Sequence, residues 1–156
     1  MISLIWAQTR DNIIGKDNNL PWNIKEEMKH FVNYTRGKTV LMGRNTFESL
    51  KIKPLPNRKN IVITSRPMEL EYNDIVVCNN LKTVFENYKN KDEELVVIGG
   101  AKVYTEAIKY ADKLVISVIK DNYDGDVYFP NWNKDDFILK EEVDMEKFVI
   151  YIYERK

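Results

Sequence analysis

Continuous short apolar runs in this chain take turns with stretches whose apolar residues recur at a period near 3.6. Short apolar runs rich in β-branched residues at 2–7, 39–42, 60–64, 75–77, 95–98 and 113–119 read as buried strands. Helical spacing fits 24–34, 45–50, 81–88 and 103–110. In 81–88, Leu81, Val84, Phe85 and Tyr88 share one face. Gly15 and Pro21 punctuate a loop over 12–22, Pro54-Leu55-Pro56 makes an irregular turn, and Pro67 breaks the chain after the third strand. Strands separated by helices predict a parallel α/β sheet. The runs 137–143 and 148–153, around Asp144-Met145-Glu146-Lys147, instead predict a C-terminal antiparallel hairpin. The fold expected over 1–156 is therefore a single-domain, mostly parallel, twisted mixed sheet. It has about eight strands and about four flanking helices.

The helix after Pro21 carries an anomaly. Asn23 is a good N-cap and Glu26 completes a capping-box pattern. At about 100° per residue, Ile24, Met28, Phe31, Val32 and Thr35 fall in one apolar arc. Glu27 falls in the same arc, while Glu26, Lys25, Lys29 and Asn33 point away. A carboxylate on an apolar face is costly unless something pairs with it. Either it reaches water or a core arginine, or it awaits a cationic or amidine-like ligand group.

Composition narrows the function. The 24 basic and 24 acidic residues balance, and with no long basic run a nucleic-acid partner is not expected. The single Cys78 and single His30 exclude an internal disulfide and a Cys- or His-based metal site, so no metal is expected. His30 is expected on an exposed helix flank, and the charged stretch 89–94 in a solvated loop. No run of about 18 apolar residues and no signal-peptide pattern occurs, so the expected setting is the cytoplasm, away from membranes.

Three strand ends carry phosphate-binding chemistry. They are Gly43-Arg44-Asn45-Thr46, Thr64-Ser65-Arg66 and Gly99-Gly100-Ala101-Lys102. Helix starts offer free N–H groups, glycines allow close backbone approach, and arginines suit a phosphate monoester. Together they suggest a dinucleotide with an additional phosphate, NADPH rather than NADH. Gly37-Lys38-Thr39 is no P-loop, because Val32 stands where the first glycine belongs, and no G-x-G-x-x-G run exists.

The ordered set Ile14-Gly15, Leu20-Pro21-Trp22, Glu27, Met42-Gly43-Arg44, Phe47-Glu48-Ser49, Pro54-Leu55-Pro56, Arg58, Ile98-Gly99-Gly100, Val103-Tyr104, Gly125-Asp126 and Phe129-Pro130 resembles dihydrofolate reductase along nearly the whole chain. The resemblance implies hydride transfer from NADPH to 7,8-dihydrofolate, with inhibition by antifolates such as methotrexate or trimethoprim, in a monomer. Glu27 would bind the pterin, supported by the Ser117 hydroxyl, which stands where the family has threonine. Trp22 and Leu20 would border the water that delivers the proton. The Ile5 and Ile98 carbonyls and Ala7 would face the pterin. Met28, Phe31, Leu50 and Leu55 would wall the aminobenzoyl group, and Arg58 would clamp the glutamate carboxylate. Ala7, Ile14, Gly15, Asn18, Leu20 and Ile98 would border the nicotinamide. Gly43, Arg44, Asn45, Thr46, Thr64, Ser65 and Arg66 would hold the adenosine phosphates, and Gly99, Gly100, Ala101, Lys102, Val103 and Tyr104 the pyrophosphate end. The segment 12–20 would be a lid braced by Gly125-Asp126. Trp6 is bulkier than the resemblance leads one to expect.

Two other readings remain at this point. One is the NADPH-dependent pyrimidine reductase of riboflavin synthesis, which lacks the Pro21-Trp22…Glu27 arrangement. The other is a non-catalytic nucleotide-binding module. Folate-dependent, antifolate-blocked oxidation of NADPH separates all three.

Overall fold

The computed structural model describes residues 1–17, 19–66 and 74–156. In chain order the elements are β1 (Ile2–Thr9), β2 (Ile13–Gly15), α1 (Lys25–Thr35), β3 (Thr39–Gly43), α2 (Arg44–Ser49), β4 (Lys59–Ile63), β5 (Ile75–Cys78), α3 (Leu81–Tyr88), β6 (Leu95–Gly99), α4 (Ala101–Ala107), β7 (Lys113–Ile119), β8 (Val127–Tyr128), β9 (Phe137–Asp144) and β10 (Phe148–Arg155). The main sheet has the order β5-β4-β3-β6-β1-β7-β10-β9. Its first six strands are parallel, and β10 and β9 join antiparallel. The expected mixed α/β architecture, with four helices and a C-terminal hairpin, is what forms.

The central strands are apolar without alternation because both faces are covered. Ile2, Leu4, Trp6, Leu41, Val97 and Leu114 face a layer built from α3 and α4. Ile5, Val40, Met42, Val96 and Val115 face the other layer, where α1 and α2 supply Phe31, Tyr34 and Phe47. All six parallel strands end on the same edge of the sheet, the edge where ligands bind in open α/β sheets.

Several local expectations need correction. The 12–22 segment is not all loop, because Ile13–Gly15 pairs antiparallel with Val127–Tyr128. Three residues are too few to show a period, and this partner lies more than a hundred residues away. Asn23 does not cap α1. Ile24 occupies the cap with no side-chain hydrogen bond. Burial of Trp22 and packing of Ile24 on the core set the chain direction there, and Asn23 is left exposed. Met28 is exposed rather than buried, so the covered stripe of α1 is narrower than the wheel suggested. His30 is half-buried with Nε2 enclosed, not on an exposed flank. Of the charged stretch 89–94, Glu94 leaves solvent, accepting from Ser3 Oγ and Tyr34 Oη at 2.6 Å each and pairing with Lys38 at 3.0 Å. Pro67 lies outside the described residues.

The small β2–β8 sheet depends on Gly125. A Cβ there would overlap Ile13 Cγ2 and stand 2.6 Å from the Gly15 carbonyl oxygen. The Asp126 N–H donates to that same oxygen at 3.1 Å. Gly125→Ala therefore forces this pair of strands apart. We expect a loss of about 1–3 kcal/mol in folding stability, read by urea denaturation.

Candidate active site

Glu27 is the centre of the site. It lies in the first turn of α1 and is only 7% exposed, although its neighbours Glu26 and Met28 are open to water. Burial pushes its carboxyl pKa up to about 7, held back by the Ser117 hydroxyl on β7. Ser117 Oγ lies close enough to exert that pull but forms no well-oriented hydrogen bond, and it is itself enclosed. Trp22 Nε1 is likewise enclosed without a partner among the described residues, its ring edge-on to Tyr123 at 5.8 Å. Buried polar atoms without partners are rare and mark places completed by water or ligand. Here the Glu27 carboxyl and the Ser117 hydroxyl share one such place, and the Trp22 indole N–H is a further group of the same kind. The donor set fits a flat heterocycle presenting N–H groups to the carboxylate.

The floor beneath Glu27 is β1. The Ile5 carbonyl accepts from the fully enclosed Tyr104 hydroxyl at 2.7 Å. Burial and the Glu27 charge both push the Tyr104 pKa upward, so the phenol stays a donor. Tyr104, assigned from sequence to the cofactor end, thus also fixes the Ile5 carbonyl of β1. Ala7 and Ile98 are half-buried beside it on β1 and β6.

A cradle forms where β3 and β6 end side by side, with Met42 paired to Gly99. Gly43 is the cap of α2 and Gly100 the cap of α4. A Cβ at Gly43 would press on Val103 Cγ2 at 3.3 Å, and one at Gly100 would meet Thr46 Oγ1 at 3.4 Å. The two helix starts therefore approach closely, directing free N–H groups and the Thr46 hydroxyl to one place, as a pyrophosphate requires. Ala101 and Lys102 open α4 here. Gly99 adopts φ +125, a backbone that favours glycine, with the Tyr104 ring 3.4 Å from where a Cβ would be.

Farther along the same edge, Thr64, Ser65 and Arg66 line a groove of about 630 Å³ with Cys78, Asn79 and Asn80. Arg44 is partly committed, its Nε donating to Glu48 at 2.9 Å on α2, and Asn45 is exposed. From β4 to β7 is four strand spacings, roughly 19 Å, the length of an elongated ligand pair rather than of one small molecule. Asn18 lies outside the described residues. Ile14 and Gly15 sit in β2, and Leu20 is 48% exposed.

On the opposite flank, Phe31, Leu50 and Leu55 are half-buried and Met28 is about half exposed. Ile52, between them in sequence and 69% exposed, was not singled out from the sequence. Its one available signal was an apolar residue standing alone between two lysines. Arg58 is less free than a simple clamp. Its guanidinium donates to Thr35 Oγ1 at 2.9 Å, to Val32 O at 3.0 Å and to Pro56 O. Of five N–H groups, three are used and one on each terminal nitrogen is left, a fork suited to a carboxylate.

The Glu27 shift has a consequence for folding. An unfolded glutamate titrates near 4.5 and the folded one near 7. Between those values the folded state holds more protons, so stability falls as pH rises from about 4.5 to about 7 and the cost is complete above that. Glu27→Gln is therefore expected to stabilise the ligand-free protein at pH 8 by up to about 3 kcal/mol. The gain should vanish below about pH 4.5, as measured by denaturant midpoints across the range.

Comparison with known proteins meets the same arrangement. Residues 1–154 match the family described as Dihydrofolate reductase. The chain is 39% identical to the dihydrofolate reductase of Bacillus subtilis, covering 100% of this chain and 95% of that one. It is also 39% identical to that of Ureaplasma parvum, with 100% and 98% covered. A solved structure of the Enterococcus faecalis enzyme complexed with NADP(H) and RAB-propyl superposes with a TM-score of 0.89 at 30% identity, over 100% of this chain and 96% of that one. Matched to its family model over 1–154 and 39% identical to two of its members over the whole length, the chain belongs to the dihydrofolate reductase family.

Proposed function

We propose a division of labour among these residues for the reduction of 7,8-dihydrofolate to 5,6,7,8-tetrahydrofolate with NADPH, the reaction of this family and a source of reduced folate for one-carbon chemistry. The observation that carries it is the enclosed, unpaired Glu27 carboxyl over the β1 floor. NADPH, when bound, supplies the hydride that forms the new C6–H bond of the pterin. N5 takes a proton from water, and NADP⁺ leaves.

Glu27 accepts from the 2-amino group and N3–H of the pterin, which recovers the cost of its burial. This orients the ring and polarises it toward protonation at N5. Ser117 braces the carboxyl, and Trp22 with Leu20 borders the proton-donating water. The Ile5 and Ile98 carbonyls and Ala7 define the floor, and Tyr104 fixes the Ile5 carbonyl in place. Phe31, Met28, Leu50 and Leu55 take the aminobenzoyl ring, and the free fork of Arg58 takes the glutamate carboxylate. Gly43, Thr46, Gly99 and Gly100, with the flanking Arg44, Asn45, Ala101, Lys102 and Val103, suit the pyrophosphate. Thr64, Ser65 and Arg66 suit the adenosine phosphate. The 12–20 segment closes over the reacting atoms and excludes water.

All these residues belong to one chain, which supports a monomer as the working unit. No helix among the described residues is long and apolar enough to cross a membrane, and we place the protein in the cytoplasm. The match over 1–154 leaves neither rival reading an observation in its favour.

Mixing the protein with NADPH and dihydrofolate should give oxidation that methotrexate blocks; oxidation independent of folate would defeat the reading. Because the reaction consumes a proton and Glu27 titrates near 7, kcat/KM for dihydrofolate is expected to fall as pH rises through about 7. In Glu27→Gln it should drop roughly a hundredfold or more at neutral pH and lose the break near pH 7, with NADPH affinity kept. Arg58→Ala should weaken methotrexate far more than trimethoprim, which lacks a glutamate, measured by inhibition constants. Equal weakening would remove Arg58 from the clamp.

A further inference from the structure

Trp6 and Gln8 have no part in the reaction as described, yet both are fully engaged. Strand alternation puts them on the sheet face opposite α1. The Trp6 indole stacks on Phe129 with ring centres 3.7 Å apart and planes 9° from parallel. Tyr104 completes a triangle, 6.0 Å from Trp6 and 5.0 Å from Phe129. The Trp6 Nε1–H donates to Gln8 Oε1 at 2.8 Å, and Gln8 Nε2 donates to Asn12 Oδ1 at 2.9 Å and to Thr9 O at 3.2 Å. The Asn12 carbonyl accepts from the Phe129 N–H at 2.9 Å. The contacts close on themselves, running from Trp6 through Gln8, Asn12 and Phe129 back to Trp6.

We infer that this closed ring of contacts is a latch at the root of the 12–20 segment, with Trp6 and Gln8 as positioning residues for the reduction. The inference rests on the function proposed above. Asn12 directly precedes β2 and Phe129 directly follows β8, the two strands that carry the segment, with Ile13 paired to Tyr128. One side of the latch therefore fixes the base of the lid. The other side abuts Tyr104, whose hydroxyl holds the Ile5 carbonyl of the floor. Rings in contact pass a displacement between lid and floor with little slack, because close-packed aromatic groups have few alternative positions. Core packing accounts for an aromatic residue at position 6 but not for an amide at position 8. Gln8 uses its oxygen toward the indole and its nitrogen toward Asn12, a division that only an amide performs at that length. Asn12 has φ 67, a left-handed backbone that asparagine tolerates well.

The test uses Gln8→Leu, which breaks both links, and Trp6→Phe, which keeps a stacking ring but loses the N–H. Asn12→Gly keeps the left-handed backbone but loses the acceptor, and Gln8→Leu/Asn12→Gly combines two breaks. Single-turnover hydride transfer should slow about three- to tenfold in each single variant, the rate equivalent of one net hydrogen bond. The double variant should lose no more than Gln8→Leu alone, since both cut one chain of contacts. In the ligand-free protein, the Phe129 and Asp126 amide hydrogens should exchange faster in all four variants. Additive losses in the double variant, or exchange at those two amides unchanged from the parent, overturn the latch. Should Asn12→Gly fail to fold, Gln8→Leu and Trp6→Phe still decide by exchange and hydride rate together. A parent protein that does not reduce dihydrofolate would instead strike the underlying functional reading.

Discussion

The structure depends on keeping one carboxyl group out of water without giving it a protein partner. Glu27 is enclosed on the first turn of α1, and only the Ser117 hydroxyl moderates its shifted pKa. Such a group survives because the helix carrying it is pinned from outside. α1 has no side-chain cap at its start and no basic residue in its last turn, so its own sequence does little to hold its ends. The start is set by Trp22 and Ile24 packing into the core. The end is set by Arg58, which delivers a guanidinium to the Val32 carbonyl and the Thr35 hydroxyl, where a C-terminal cation belongs. Held at both ends, α1 cannot roll to let Glu27 reach solvent.

The parallel sheet supplies the remaining order. Its six parallel strands end along one edge, and successive ends offer different chemistry. Hydroxyls and a guanidinium follow β4. Two glycine-capped helix starts follow β3 and β6. Backbone carbonyls and the enclosed carboxyl cluster at β1 and β7. In the function proposed above, a ligand laid across this edge is read from phosphate to ring, with its reactive end beside the enclosed carboxyl. The β3–β6 junction is the pivot because a Cβ at Gly43 would crowd Val103 and Gly99 holds a positive-φ backbone that favours glycine. The function therefore follows from the lateral order of strands as much as from any single residue.

Sequence revealed whatever has a local period. The eight long strands, the four helices and the placing of Glu27 on the covered side of α1 were legible, because burial on one or both faces writes directly into residue order. What escaped was set by distant partners. The β2–β8 pairing joins segments too short to show alternation. Asn23 looked like a cap because local chemistry favours it, but the burial of Trp22 overrode that preference. His30 and Glu94 are charged or polar by type, and only the tertiary neighbours of Glu94 explain why it leaves solvent. At the site, helical phase put the carboxyl on the covered side and the resemblance named the hydroxyl and the indole, but neither showed the Tyr104 bond to Ile5, nor how far Arg58 is already engaged. Those depend on geometry between elements far apart in sequence.

The division between a rigid floor and a lightly held cover follows from the same physics. β1 pairs on both sides with parallel neighbours and is buried along most of its length. The β2–β8 sheet has two strands, a size that is marginal in water without support. It is supported at a handful of points: the close approach that only Gly125 allows, the Asp126 bond to Gly15, the Phe129 bond to Asn12, the Thr9 bonds to Asn12 and Ile13, the Gln8 bond to Asn12 and the stack of Phe129 on Trp6. In the function proposed above, a cover resting on a handful of contacts opens to release product. The same scarcity makes each contact count toward the closed geometry, so side chains far from the reacting atoms acquire a hold on the rate. Bulk at Trp6 fits that constraint, since its large flat ring carries support from the rigid strand to the cover by stacking on Phe129, and its one N–H reaches the cover only through Gln8.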